Sequence, residues 1–253
     1  MKKNAVKTIY GGFILTIVLI ALIPPFTSFP IRSPLSDAAF FKLLDVNNTN
    51  LTQIRLAANE KDLDYAAELW FTYLKEREWQ HFEPIYADTS MIESANQTLN
   101  HYFTVLSKTF KLDGEEKIMF GKPWNDINWH DNPLPPNREW IWQLNRFSFI
   151  SALGSAYLAT GDETYAWEYF CILSDWIEDE VPASNPYSWR TLDPAIRVIH
   201  ITRPFPVFLN STYATPRVIL DITKSLVEQA RHLQNNHRKR RSYRKRLYMG
   251  DLF

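Results

Sequence analysis

Two apolar periodicities joined by a short corner constrain this chain more than any other feature. Trp140, Leu144, Phe147, Ile150, Leu153 and Leu158 recur mostly at three- and four-residue intervals, the spacing of a helix that buries one face. Tyr165, Tyr169, Ile172, Leu173 and Trp176 repeat the pattern. Between the two runs stands Thr160-Gly161-Asp162. Gly161 can end a helix in the left-handed conformation at low steric cost, and Asp162 can cap the helix that follows. The spacing predicts a helical hairpin, and a third helix is expected in YSWRTLDPAIRVIHI after a Pro/Ser/Asn-rich break.

Helical signals continue on either side. Ser36 is placed to cap a short helix through Leu44, Leu51 to Ala58 reads as a second, and Asp62 to Glu78 as a longer third. Thr89 or Ser90 starts another that runs toward Leu106. From Phe110 to Pro136 the periodicity fails while Gly, Pro, Asn and Asp accumulate, so a long connecting loop is expected, of a length that is often functional. Thr215-Pro216 opens the last helix, a capping residue followed by proline at the first helical position. Its apolar positions run through Ile219, Ile222, Leu226, Ala230 and Leu233, and it is expected to give way at Gln234-Asn235-Asn236-His237. The fold class is therefore all-α, with antiparallel hairpins.

At 253 residues and 45% apolar, the chain has room for one large domain with a sizeable core. The formal charge of zero hides an uneven distribution. Seven of the 28 basic residues lie within Arg238 to Arg246, and one of the 28 acidic residues follows His237, which leaves 27 acidic against 21 basic ahead of that tail. One terminal basic run is a weak nucleic-acid signal, and no nucleic-acid partner is expected. The N-terminus has an export layout: Lys2, Lys3 and Lys7, an apolar stretch from Ile9 to Ile23, then Pro24-Pro25. About fifteen apolar residues fit a signal segment better than a membrane span. The chain divides into residues 1–29 as export signal or signal-anchor, 36–237 as helical domain and 238–253 as a basic tail. The expected location is periplasmic or secreted, with membrane contact only through that N-terminal segment. Cys171, the sole cysteine, sits among apolar residues and reads as a buried structural thiol. No Cys/His cluster has zinc spacing and no glycine-rich phosphate loop is present, so no metal or cofactor is expected.

Polar residues among the aromatics raise the hairpin above a packing unit: Glu139, Asn145 and Arg146, then Trp189, Arg190 and Arg197. Arg190 and Arg197 suit bidentate contact with uronate or sulfate, or else salt bridges to Glu139, Asp162 or Asp193. Trp129 and Trp189, in or beside loops, could stack on sugar faces, whereas Trp140 is expected in the core. His130 beside Asp131 reads as an ordinary loop histidine.

The run NWHDNPLPPNREWIWQLNRF, followed by AYLATGDETYA and YSWRTLDPAIR, resembles the N-terminal helical domain of heparinase II/III-type polysaccharide lyases, a group similar also to certain alginate lyases. The resemblance is clearest over Phe120 to Phe208. It implies an (α/α) toroid, incomplete here and without the family's C-terminal β-sandwich, and an acidic, uronate-containing polysaccharide as partner. It implies β-elimination, which needs the C6 carboxylate neutralised, a base for the C5 proton and an acid for the departing O4. It further places Asn236 as carboxylate neutraliser and His237 as its partner, with Asn235, Trp129, Trp189, Arg190 and Arg197 as substrate contacts. The bland alternative for Asn236 is a helix C-cap followed by a surface histidine. The family's catalytic tyrosine has no assigned counterpart, since Tyr243 and Tyr248 are out of register. The tail reads as a truncated or frame-shifted end, and the chain alone is expected to turn over glycan weakly or not at all. The rival readings are a non-catalytic glycan- or partner-binding module, and a glycoside hydrolase using Glu139 and Asp193.

Overall fold

A computed structural model describes residues 35–79, 89–179 and 188–250, with side chains described through Asn236. The expected export segment and the tail's side chains lie outside the described residues. The helices are α1 (Asp37–Phe41), α2 (Thr52–Asn59, entered through a 3-10 turn at Thr49–Leu51), α3 (Leu63–Glu76), α4 (Thr89–Leu99), α5 (Glu139–Leu144), α6 (Ile150–Thr160), α7 (Glu163–Asp179), α8 (Leu192–Thr202), α9 (Phe205–Phe208) and α10 (Pro216–Gly250). Two caps anticipated from sequence are in place: Ser36 Oγ accepts from the Ala39 N–H at 3.3 Å and Thr215 from Val218 at 3.3 Å. Asp62, expected as the first residue of its helix, instead caps it, accepting from Tyr65 at 3.1 Å.

The hairpin forms as its corner dictates. Gly161 has φ 70° and donates its N–H to the Tyr157 carbonyl at 2.8 Å, and Asp162 accepts from the Thr164 N–H at 2.9 Å. Around α6 and α7 the other elements pack as further hairpins: α2 with α3, α4 with α6, and α10 against α3, α7 and α8. This is an incomplete (α/α) toroid. Its core is aromatic. Tyr169 stacks on Phe208 with centroids 4.2 Å apart, and Trp70, Trp129, Trp140, Trp176, Phe41, Phe103 and Phe147 are fully buried. Cys171 is buried, and burial pushes its thiol pKa up, so it packs as an inert apolar group.

Four boundaries differ from the sequence expectation. The helix through Trp140 to Leu158 is broken between Leu144 and Ile150. Phe147 adopts φ 62°, which ends helical geometry and drives its ring between Trp129 (5.4 Å) and Trp176 (5.5 Å). The helix from Thr89 stops at Leu99 rather than Leu106. The expected loop from Phe110 to Pro136 overlaps two antiparallel hairpins: β1 (Tyr102–Val105) with β2 (Lys108–Lys111), and β3 (Glu116–Met119) with β4 (Lys122–Asn125). Both are closed by two-residue turns with positive φ, at Leu106-Ser107 (53° and 60°) and Phe120-Gly121 (49° and 78°). Finally, α10 does not stop at Gln234 but continues past Asn236. Among the described residues no helix is long and apolar enough to cross a membrane.

Candidate functional site

The polar residues singled out in the sequence converge where α5, α8 and α10 meet. Asp193, fully buried, accepts from Arg146 Nε at 2.9 Å and from Arg190 through two bonds of 2.8 and 2.9 Å. Arg146 also reaches Glu139 at 3.5 Å, and its carbonyl meets His200 Nδ1 at 2.5 Å. The Arg190 guanidinium carbon lies over Trp142, 3.2 Å from the ring centroid, with the side chain one-third exposed. Glu139 and Asp193 thus serve the same arginine. Asp193, buried and paired with two arginines, is not free to act as one of two opposed glycosidase carboxylates.

Arg197 has no exposed surface. It donates from Nε to Gln229 at 2.9 Å and from Nη1 to the carbonyls of Asn145 (2.6 Å) and Ser188 (3.0 Å), while its guanidinium faces Trp176 at 4.1 Å and Trp189 at 5.4 Å. Asn145, also buried, donates to the Trp129 and Ile141 carbonyls, both at 3.0 Å, and accepts from Trp176 Nε1 at 2.8 Å. Apart from the local bond of Asn145 to Ile141, these bonds tie together segments distant in the fold. A buried polar network of this kind fixes a single arrangement of the helices, since breaking one member strands another.

The network ends at the segment nominated for chemistry. Trp189 packs against Trp176 at 5.9 Å and against the His232 imidazole at 5.3 Å. One turn further along α10, Asn236 Nδ2 is 2.9 Å from the His232 carbonyl and 3.1 Å from His232 Nε2. Asn236 therefore sits within a helix, half-buried and bonded to the preceding turn, and the C-cap reading does not hold. Asn235 is exposed on the same turn, and the His237 side chain lies outside the described residues. Of the expected substrate contacts, Trp129, Trp189 and Arg197 are buried (1%, 5% and 0% exposed) and offer no open face for a sugar. Contacts link Arg197 through Trp189 to His232 and so to Asn236, Arg190 pairs with Asp193 instead, and Trp129 is buried in the framework. His130 is exposed, and Trp140 is buried as expected.

Sequence reasoning missed a second charged assembly. Glu168 and Asp175, seven residues apart on α7, are both fully buried under the strand segment. Glu168 accepts from Trp124 Nε1 at 3.0 Å and faces His101 Nε2 at 3.2 Å, whose other nitrogen faces Asp113 at 3.0 Å. Asp175 accepts from Trp129 Nε1 at 2.7 Å and from Lys117, which also pairs with Asp126 at 2.8 Å. Burial raises the pKa of Glu168. Burial, aided by the Asp126 carboxyl, pushes Asp175 up to about 7 against the pull of Lys117 and Trp129. Oxygens of Asp126, Asp175 and Asp179 lie within 4.8 Å of one another, and the Lys117 ammonium supplies positive charge to two of the three. The signal available in sequence was two carboxylates seven apart on a helix, each beside aromatic residues, Glu168 between Trp167 and Tyr169 and Asp175 next to Trp176.

The fold is thus a set of packed helical hairpins whose aromatic and arginine network reaches the turn of α10 that carries Asn236. The chain belongs to the heparinase II/III N-terminus family, whose description it matches over residues 40–247. It is 28% identical over 220 residues to a heparin-sulfate lyase of Pedobacter heparinus, covering 78% of this chain and 32% of the relative. It is 30% identical over 138 residues to a heparin-sulfate lyase of Bacteroides stercoris, covering 44% and 21%. Among solved structures it is similar to the heparan sulfate lyase HepC of Pedobacter heparinus, with TM-score 0.67 and 26% identity over 78% of this chain and 32% of that one. The chain spans about a third of the length of the Pedobacter heparinus relative.

Proposed function

We propose that this chain is the N-terminal toroid domain of a lyase that cleaves an acidic, uronate-containing glycan of the heparan sulfate type by β-elimination. The observation that carries this reading is the family match across the helical domain, with heparin-sulfate lyases as its relatives. The role of Asn236 is the one the family resemblance implies, and an amide suits it. A carboxylate whose charge is offset by donated hydrogen bonds lets the C5 proton become acidic, and an amide donates without taking that proton itself. Arg190, one-third exposed and adjacent in sequence to Trp189, is the proposed cation of the site, and His237 is the proposed partner of Asn236. The basic-then-apolar N-terminus supports export.

Four of the described tyrosines have their hydroxyls engaged with other groups: Tyr157 with Glu163, Tyr165 with Asn96, Tyr169 with the Ile201 carbonyl and Tyr213 with Lys122. A neutraliser without a positioned base gives little turnover. The 253-residue polypeptide is therefore proposed to bind acidic glycan weakly and to form little or no unsaturated uronate on its own. The test pairs the ultraviolet absorbance of unsaturated product with heparan sulfate binding at several salt concentrations. Binding that survives truncation after His237 and is lost in Asn236→Ala supports the site. Binding that disappears with the basic tail is nonspecific charge attraction. Robust unsaturated product from the polypeptide alone contradicts the incomplete-site reading, and binding indifferent to Asn236 favours a partner-binding module without catalytic function.

A further inference from the structure

The contacts of Asn236 determine more than its position. Residues four apart on a helix share a face, and Asn236 Nδ2 lies 2.9 Å from the His232 carbonyl oxygen and 3.1 Å from His232 Nε2. A carbonyl oxygen only accepts, so the amide atom facing it is the NH2 group. With the amide so oriented, Nε2 must also accept. His232 is then neutral and carries its proton on Nδ1. Both amide hydrogens are directed back onto the preceding turn, and the atom left over is the acceptor Oδ1. A uronate carboxylate needs a donor.

We propose that His232 is a positioning residue that holds the Asn236 amide in this resting seat and releases it on protonation. This rests on the reading of Asn236 as the carboxylate neutraliser. A proton on Nε2 turns the contact into donor against donor, so the amide leaves its seat. Its Oδ1 can accept from Nε2–H only by swinging away from the carbonyl, and that movement turns Nδ2 outward, toward substrate. The imidazole itself is held by Trp189, which is buried and fixed against Trp176. Among the described residues, the charged groups on its own helix within a turn are Glu228 and Arg231. Arg197 of α8 reaches it through Trp189, 5.4 Å from that ring, the Arg190–Asp193 pair lies at the start of α8, and α7 presents the uncharged Trp176. Carboxylate binding is accordingly coupled to proton uptake at His232, and the coupling is reciprocal.

The experiment uses the 253-residue chain in two measurements. Without ligand, 15N-detected histidine spectra at about pH 8 read the tautomer directly, with the Nδ1–H form expected. On lowering the pH, the Asn236 side-chain amide resonances are expected to move with the titration of His232. An Nε2–H tautomer, or an Asn236 amide indifferent to that titration, overturns the proposal. With a heparan sulfate oligosaccharide as probe, affinity of the parent is expected to rise between about pH 8 and about pH 6 by at least roughly fivefold more than that of His232→Gln. Glutamine keeps an acceptor for the amide but does not titrate. His237 is present in both proteins, so the difference isolates His232. Equal pH slopes with binding still lost in Asn236→Ala overturn the His232 inference and leave the glycan reading standing. Binding unaffected by Asn236→Ala overturns both.

Discussion

The two sides of α7 are built by opposite physics. Toward α6 and α9 the helix presents Tyr169, Phe170 and Leu173 to an aromatic core in which Tyr169 stacks on Phe208. Toward the strand segment it presents Glu168 and Asp175, equally buried but joined to His101, Trp124, Trp129 and Lys117. The apolar side gains from area removed from water and is nearly indifferent to pH. The charged side gains little net stability, because desolvation opposes the ion pairing, but it specifies where the hairpins dock. One helix thus carries a stabilising face and an orienting face.

The largest expected effect breaks the apolar side. Leu153 is fully buried on α6, and Leu153→Ala is expected to destabilise by about 2–5 kcal/mol through lost transfer energy and the cavity left behind, independently of pH. Urea unfolding checks it, and an unchanged midpoint means that the face is assigned wrongly. Next comes the charged side. Asp175 has its pKa raised to about 7 in the folded chain, from the ordinary aspartate value near 3.8, so between those values the native state holds more protons than the unfolded one. Its contribution therefore falls as pH rises from about 4 to about 7 and is constant above, a loss on the order of 2–4 kcal/mol at most. Asp175→Asn keeps an acceptor for Trp129 and removes the titration, so its stability relative to the parent should rise across that window. A parallel pH profile for the two proteins would count against a buried proton at Asp175. The smallest effect is expected at the partly exposed cluster of Asp37 with Arg217 (2.7 Å) and Lys224 (2.7 Å). There Asp37→Asn should cost about 1 kcal/mol or less, diminishing with added salt.

The same contrast explains what could be read in advance. Apolar spacing and cap chemistry identified α6, α7, their Gly161 corner and the start of α10, because burial of one face is written as a period of three to four. The β hairpins were illegible. Their strands are four residues each, and their turns use Leu106-Ser107 and Phe120-Gly121 where positive φ ordinarily favours Asn or Gly at both positions. The break at Phe147 was hidden for a related reason: its ring keeps the helical register of the buried face while its backbone leaves it. At the candidate site, residue types nominated Arg190 and Asn236, both of which are partly exposed. They could not show that Trp129 and Arg197 lie beneath the surface, because an arginine spent on carbonyls and Gln229 looks the same in sequence as one offered to a sulfate.

The central claim, that the Asn236 turn of α10 meets an acidic glycan, is tested most directly by titrating the labelled chain with a heparan sulfate oligosaccharide and following side-chain resonances. The account predicts that the Asn236 amide, the His232 ring and the Arg190 Nε–H move together and saturate with one affinity, while the Trp140 and Trp129 indoles stay fixed. Shifts confined to the basic residues after His237, or movement at Trp140 with Asn236 unchanged, would contradict it.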